Sequence, residues 1–438
     1  MIKINESNLK SVLSSKYYDL FMFSSCIVYC FLAMPDFAAG DVFKNIILFG
    51  TAPVLYYYCK ESNSDKKIVW LFIFSVLIQL ASWINSLFVI PYAAKSLPEI
   101  KLLANLFLFI PIAFWIGNNS RRRAVLFTTL IVGFIFSIAY DNYYNDSLQL
   151  GLLGKRVDFG LYNAQFTTMI SAIVIMISSY LLTTNKTINK KLAYTIFTLI
   201  TALSLFSFII SQSRQVWVAT LILISLLPII ARSKINRKAA TVFYIVLSIM
   251  ITAVFNTNIV QHRLSGDGDS QTVSKILSLN WENIPMTSFG IRFNSWLEAS
   301  EWIKDNPIIG ASKEGVRQVL KTSERFQSTP ATSGFGHLHN YYLETLVAFG
   351  IVGAFFLICF YTIISQNIFK HANYPTAVFY ICFLIFWLII NNFESYNSKH
   401  YGIYIQSIIL GSMFFIPKPK FMNHHSHMEK AVSSQHKK

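Results

Sequence analysis

Two short patterns in this chain place reactive side chains where a membrane surface is expected. The first is His339-Asn340, followed after nine residues by Gly350-Ile351-Val352-Gly353. The histidine stands where a long polar stretch runs into an apolar one. An imidazole titrates near physiological pH and can take a proton from a substrate hydroxyl; as a bare residue it could equally be a polar group capping an interfacial helix. Gly350 and Gly353, spaced i, i+3, would share one helix face. Small residues there let helix backbones approach closely in lipid, so their expected role is to hold the histidine-bearing helix end.

The second pattern is arginine in outward positions. Arg214 lies in a tight Ser213-Arg214-Gln215-Val216-Trp217 turn between two apolar runs, and Arg292 opens the segment RFNSWLEASEWIK. A guanidinium offers a planar fork of donors suited to phosphate oxygens. The plainer alternatives are an arginine snorkelling to lipid headgroups at 214 and a solvated helix face at 292. Two arginines and a histidine converging outside the membrane would suit a pyrophosphate leaving group, with charge stabilisation and no metal. Lys155-Arg156 could add charge nearby or simply be solvated. His337 could assist or replace His339, and Glu344 sits one turn into the following apolar run. Asp267-Gly268-Asp269 imitates a metal-binding D-x-D but reads as an ordinary turn. His424-His425-Ser426-His427 reads as part of a solvated basic tail, although it could hold a metal weakly.

The elements that must position these groups follow from composition. Of the 438 residues 54% are hydrophobic and only 13% charged, with a mean hydropathy of +0.47, against roughly 25% charged in soluble domains. The expectation is an all-α, polytopic transmembrane protein. Its apolar windows are continuous rather than alternating, which favours helices over barrel strands. Twelve windows of spanning length are expected near 17–35, 42–58, 67–90, 101–117, 123–140, 161–183, 191–211, 214–231, 239–256, 341–365, 375–392 and 401–416. That divides the chain into membrane helices over 1–256, a large loop at 257–340, three more spans over 341–416 and a tail at 417–438. A second, modest loop lies at 141–160.

The formal charge of +16 has no polar domain to gather on, which argues against nucleic acid. Instead Lys60, Lys66-Lys67, Arg121-Arg122-Arg123, Lys186, Lys190-Lys191, Arg232, Lys234, Arg237 and Lys238 fall in every second loop. By the positive-inside rule those loops, and both termini, face the cytoplasm. The large loop then faces outward. Within it, Ile291, Phe293, Trp296, Leu297 and Ile303 are expected to line one side of an interfacial amphipathic helix. No cysteine lies in the large loop, so no structural disulfide is expected. The first span reads as an uncleaved anchor.

On His339-Asn340-x9-Gly350-x-x-Gly353, on Arg214 in its S-R-Q-V-W turn and on Arg292 in I-R-F-N-S-W, the chain resembles the O-antigen ligase family, within the O-antigen ligase/polymerase superfamily. The number of spans and the one dominant outer loop just before the motif support the resemblance. It implies an inner-membrane enzyme of lipopolysaccharide biosynthesis in the bacterial cell envelope, with its active site on the periplasmic face. The implied activity is an inverting, metal-independent glycosyltransferase without a cofactor. Its donor would be O-antigen on undecaprenyl pyrophosphate and its acceptor a sugar hydroxyl of lipid A-core. His339 would activate that hydroxyl, and Arg214 and Arg292 would hold the pyrophosphate. An O-antigen polymerase and a protein O-oligosaccharyltransferase are the near alternatives. A polysaccharide transporter or flippase is the remote one, since it calls for charged or broken helices at mid-membrane.

Overall fold

The computed structural model describes all residues except 1–5, 62–65, 118, 185–188, 258–260, 262–267, 329, 331 and 423–438. Lys186, Asp267 and the tail histidines His424, His425 and His427 therefore lie outside the described residues. Among the described residues the chain is helical throughout, with no strand.

Each of the twelve apolar windows is helical. In chain order the first part runs through α1 (Glu6–Ser14), α2 (Lys16–Leu32), α3 (Ala39–Lys60), α4 (Lys67–Val89), α5 (Lys101–Ala104), α6 (Phe109–Ile116), α7 (Ser120–Asn145), α8 (Ser147–Leu152), α9 (Ala164–Thr184), α10 (Lys190–Ile210), α11 (Arg214–Ile230) and α12 (Arg237–Phe255). The large loop carries α13 (Asp269–Leu277), α14 (Ser288–Asp305), α15 (Ser312–Lys321) and α16 (Glu324–Gln327), and the chain closes with α17 (Tyr341–His371), α18 (Tyr374–Ile390) and α19 (His400–Met413). Five of these, α4, α7, α9, α10 and α17, are long and apolar enough to cross a membrane alone; α5–α6 together, α11 and α18 are shorter apolar helices. The molecule is thus a helical membrane protein. The window at 101–117 is not one rod: a 3-10 turn at Asn105–Phe107 divides it.

Some helix starts carry side-chain caps for their free backbone N–H groups. Asn119 caps α7, Asn189 caps α10, and Asn373 caps α18, whose first turn also contains Pro375. α9 lies at the centre: it packs on α7, α10, α11, α18 and α19. Ser171 on α9 and Ser207 on α10 share a 2.8 Å hydrogen bond, the kind of polar contact that joins helices in lipid.

Two expectations are corrected here. Gly350 and Gly353 do not form a helix-packing face. Gly350 has φ +58, which breaks α17 into two segments. A Cβ at Gly350 would run into the backbone of Ile308, and one at Gly310, also at positive φ, into the backbone of Ala348 and Phe349. The large loop approaches here, beside α4. Ile351 N donates to Pro307 O (2.8 Å), Val352 N to Ile308 O (3.3 Å), and Ala311 N to Val347 O (2.9 Å). Ser82 Oγ donates to Ala348 O, and Asn85 Nδ2 reaches Gly310 O at 2.7 Å. The groups released by the break are thereby satisfied inside protein, the condition for irregular backbone at membrane depth. Gly353 makes room for Phe349 and Thr345 of its own helix.

The second correction concerns α14. Its most buried residues are Gly290, Asn294, Ser295 and Ala299, not the apolar set expected to form one side. This small, polar face packs on α15 and α17. The reason is that α14 serves as a platform for backbone, and short side chains with hydroxyl and amide groups suit that role.

Candidate functional site

His339 is held by its neighbours on both sides in sequence. Asn340 Oδ1 accepts from Tyr342 N (3.0 Å) and Leu343 N (3.1 Å), so the asparagine, not the histidine, caps α17. Leu338 N donates to Glu344 Oε1 (3.0 Å), while Leu338 O accepts from Ser295 Oγ and Trp296 Nε1, both at 3.1 Å. Tyr341 N donates to Asn391 O at 2.9 Å. Between these anchors His339 takes φ +52. That left-handed backbone costs a non-glycine residue on the order of 1 kcal/mol or more, and it persists because the surrounding bonds over-determine it.

The ring meets a partner absent from the sequence reading. His339 Nδ1 lies 2.9 Å from Glu394 Oε2, in the turn between α18 and α19. Glu394 is 1% exposed. It also accepts from Gln165 Nε2 (3.0 Å) and Ser395 N (3.2 Å), and Gln215 Nε2 in turn donates to Gln165 Oε1 (2.8 Å). Burial would raise this carboxyl, but the His339 hydrogen bond and charge, with the help of His337 and Gln165, outweigh it and hold it down at about 2. A carboxylate accepting from Nδ1–H leaves Nε2 as the accepting nitrogen of a neutral His339. The pair is therefore arranged for proton uptake at Nε2.

The arginines surround this pair. Arg292 Nη1 donates to Ser288 O (2.8 Å) and Nε to Phe393 O (3.3 Å), next to Glu394 in sequence. Burial lowers Arg292; Glu394 and Asp269 oppose this and Arg214 adds to it, so all four charges share one field. Arg214, the first residue of α11, pairs with Asp269 Oδ2 at 2.7 Å. Asp269 belongs to the D-G-D segment read as a mere turn, and it also accepts from Phe289 N at 3.0 Å. That reading is corrected: the aspartate opens α13 and binds the turn arginine. Arg156 Nε donates to Ser211 O (3.4 Å) and Nη2 to Asn163 Oδ1 (3.1 Å), which ties the 156 loop to the 211–215 turn.

His337 stacks obliquely near His339, with ring centroids 4.0 Å apart. Burial first, then the charge of His339, hold it down at about 4 against the pull of Glu394. One ligand-type atom from each of His337, His339 and Glu394 lies within 4.8 Å of the others, so the set could also hold a metal ion. No sequence motif announced that grouping. Glu394 and Gln165 were missed for the same reason. The available signal was a lone acid in a short polar turn on the same predicted side as His339.

Comparison with known proteins bears on the same region. A family model described as O-Antigen ligase matches residues 197–358, which contain Arg214, Arg292, His339, Gly350 and Gly353. A protein of Haemophilus influenzae described as uncharacterized is 24% identical over 416 residues, covering 90% of this chain and 92% of its own length. The histidine and arginine motifs thus sit within the segment that is similar to the O-antigen ligase family.

Proposed function

We propose that the protein is an O-antigen ligase. It moves a polysaccharide from undecaprenyl pyrophosphate to a sugar hydroxyl of lipid A-core, at the periplasmic face of the inner membrane, with both termini in the cytoplasm. The observation that carries this reading is the His339–Glu394 pair set among Arg156, Arg214 and Arg292. The acceptor hydroxyl loses its proton to His339 Nε2, and Glu394 stabilises the imidazolium that results. The hydroxyl oxygen attacks the anomeric carbon as the bond to the pyrophosphate breaks, with inversion. Arg292 and Arg214 take up the negative charge of the departing pyrophosphate, Arg214 exchanging Asp269 for phosphate oxygens. An apolar cavity of about 550 Å3 between α9, α10, α11 and α18, running from Thr220 and Phe386 to Lys234 and Tyr374, offers space for part of a polyprenyl tail.

The test is reconstitution of the purified protein with undecaprenyl-pyrophosphate-linked O-antigen and rough lipopolysaccharide, without ATP and in EDTA. The expected outcome is glycan moving onto lipopolysaccharide, and its loss with His339→Ala. Longer lipid-linked chains instead would identify a polymerase, and transfer to neither would leave a protein acceptor to be tried. Activity that EDTA removes and zinc restores would give His337, His339 and Glu394 a metal-binding role and overturn the metal-independent mechanism.

A further inference from the structure

A second polar cavity, of about 330 Å3, adjoins His337. None of Arg156, Arg214 and Arg292 lines it; its polar walls include Lys313, Arg317, His337, Tyr341, Glu344 and Lys399. Its cations are braced rather than cancelled. Lys313 Nζ lies 2.6 Å from Glu99, and Lys95 bridges Glu99 (2.8 Å) and Glu314 (3.2 Å). Arg317 binds the same Glu314 at 3.0 Å. Three cations thus share two carboxylates. Lys399, which also lines the cavity, has no carboxylate within ion-pair distance among the described residues. With Glu344 counted as an anion, four cations still face three carboxylates. These side chains are partly exposed rather than buried, so the surplus is tolerated and open to an anion that offers charge-assisted hydrogen bonds.

We propose that this cavity receives an anionic group, a phosphate or carboxylate, carried by the acceptor glycan beside the hydroxyl that His339 deprotonates. The inference rests on the glycan-transfer reading above. His337 forms part of the cavity wall and stands one ring from His339, so an anion held there lies within a sugar residue's reach of the base. His337, held neutral near pH 7, adds hydrogen bonding without adding charge. The protein then has two anion sites flanking one base: arginines for the leaving pyrophosphate, and a lysine-rich cavity that selects the acceptor. An acceptor without the anion would be bound less tightly, and transfer to it would suffer in KM more than in kcat.

The experiment measures binding of labelled rough lipopolysaccharide to the full-length protein in detergent, without donor, for wild type and Arg317→Gln/Lys399→Gln. Native, enzymatically dephosphorylated and carboxyl-reduced acceptors are compared, and unfolding midpoints confirm that both proteins are folded. The double variant should bind native acceptor about tenfold more weakly, the effect of losing charge-assisted hydrogen bonds. It should show no further loss with whichever stripped acceptor lacks the relevant anion, and that acceptor identifies phosphate or carboxylate. Equal binding of native acceptor by both proteins, or the same loss with both stripped acceptors, would overturn the assignment. Charge-dependent acceptor binding without transfer in the reconstitution would instead sink the ligase reading and leave the cavity's anion preference standing. Normal transfer with charge-independent binding would do the reverse.

Discussion

Two charged networks occupy opposite ends of α7 and do different work. At its start, Arg122 forks onto Asp19 of α2, Lys418 reaches the same carboxylate at 2.6 Å, and Arg122 Nη1 also donates to Trp115 O at 2.5 Å. The helix's 26 residues span roughly 39 Å at 1.5 Å per residue. The chain beyond its far end leads into the loop of Arg156, where the His339–Glu394–Arg292–Arg214–Asp269 group assembles. The first network joins two cations to one carboxylate and ties the C-terminal segment to α2 and α7. The second contains a histidine, a buried carboxylate and arginines drawn from α11, α14 and three loops. An ion cluster of always-charged groups that pins chain segments together is a fastener. One in which a titratable ring keeps an accepting nitrogen beside guanidinium groups is equipped for chemistry.

That contrast can be broken most sharply at the base. His339→Ala should lower the transfer rate by about 10²–10⁴-fold, the usual contribution of a positioned general base. Glu394→Gln should do nearly as much, because a neutral amide cannot stabilise the imidazolium. Both are read as initial rates in the reconstitution at equal protein level. Retained rates would make the pair another fastener.

Arginine-to-lysine exchange sharpens the comparison. Arg292→Lys should cost on the order of a hundredfold in kcat/KM, since an ammonium cannot reproduce the fork on phosphate. Arg122→Lys, at the other end, should leave the rate within about twofold and lower stability by roughly 1 kcal/mol. Parallel kinetics and thermal unfolding separate the two.

Gly350→Ala tests the frame under the site. A Cβ there meets the Ile308 backbone at a φ that side chains disfavour. The substitution should destabilise by about 3 kcal/mol or more, seen as a lower unfolding midpoint with loss of activity following the loss of fold.

The smallest effect is in pH. His337 is depressed from 6.5 to about 4. As pH falls from 6.5 towards 4 the unfolded chain takes a proton that the folded one refuses, so stability falls across that window and rises again with pH. Glu394, held down at about 2, adds a further loss only below its ordinary range. His337→Gln should flatten the dependence of the unfolding midpoint between pH 6.5 and 4.

Much of this protein is determined by one-dimensional information. Apolar runs of spanning length leave helix as the only economical backbone, so all twelve windows are helical and begin or end within a few residues of where hydropathy places them. His339 and Arg214 stand out because charge at the end of an apolar run is costly and asks for a reason, and Arg292 because it opens an amphipathic segment on the same side. What only tertiary structure decided are the partners. Glu394 lies 55 residues from His339, and the hairpin of α17 and α18 returns the chain to that ring. Asp269 was indistinguishable from any turn aspartate until α13 set it against Arg214. The two glycines read as a packing face, and the structure made Gly350 a break instead. The choice fell to residues 307–311, whose carbonyls accept the amide groups that a broken helix releases, because an unpaired backbone group in a dry interior is too costly to leave.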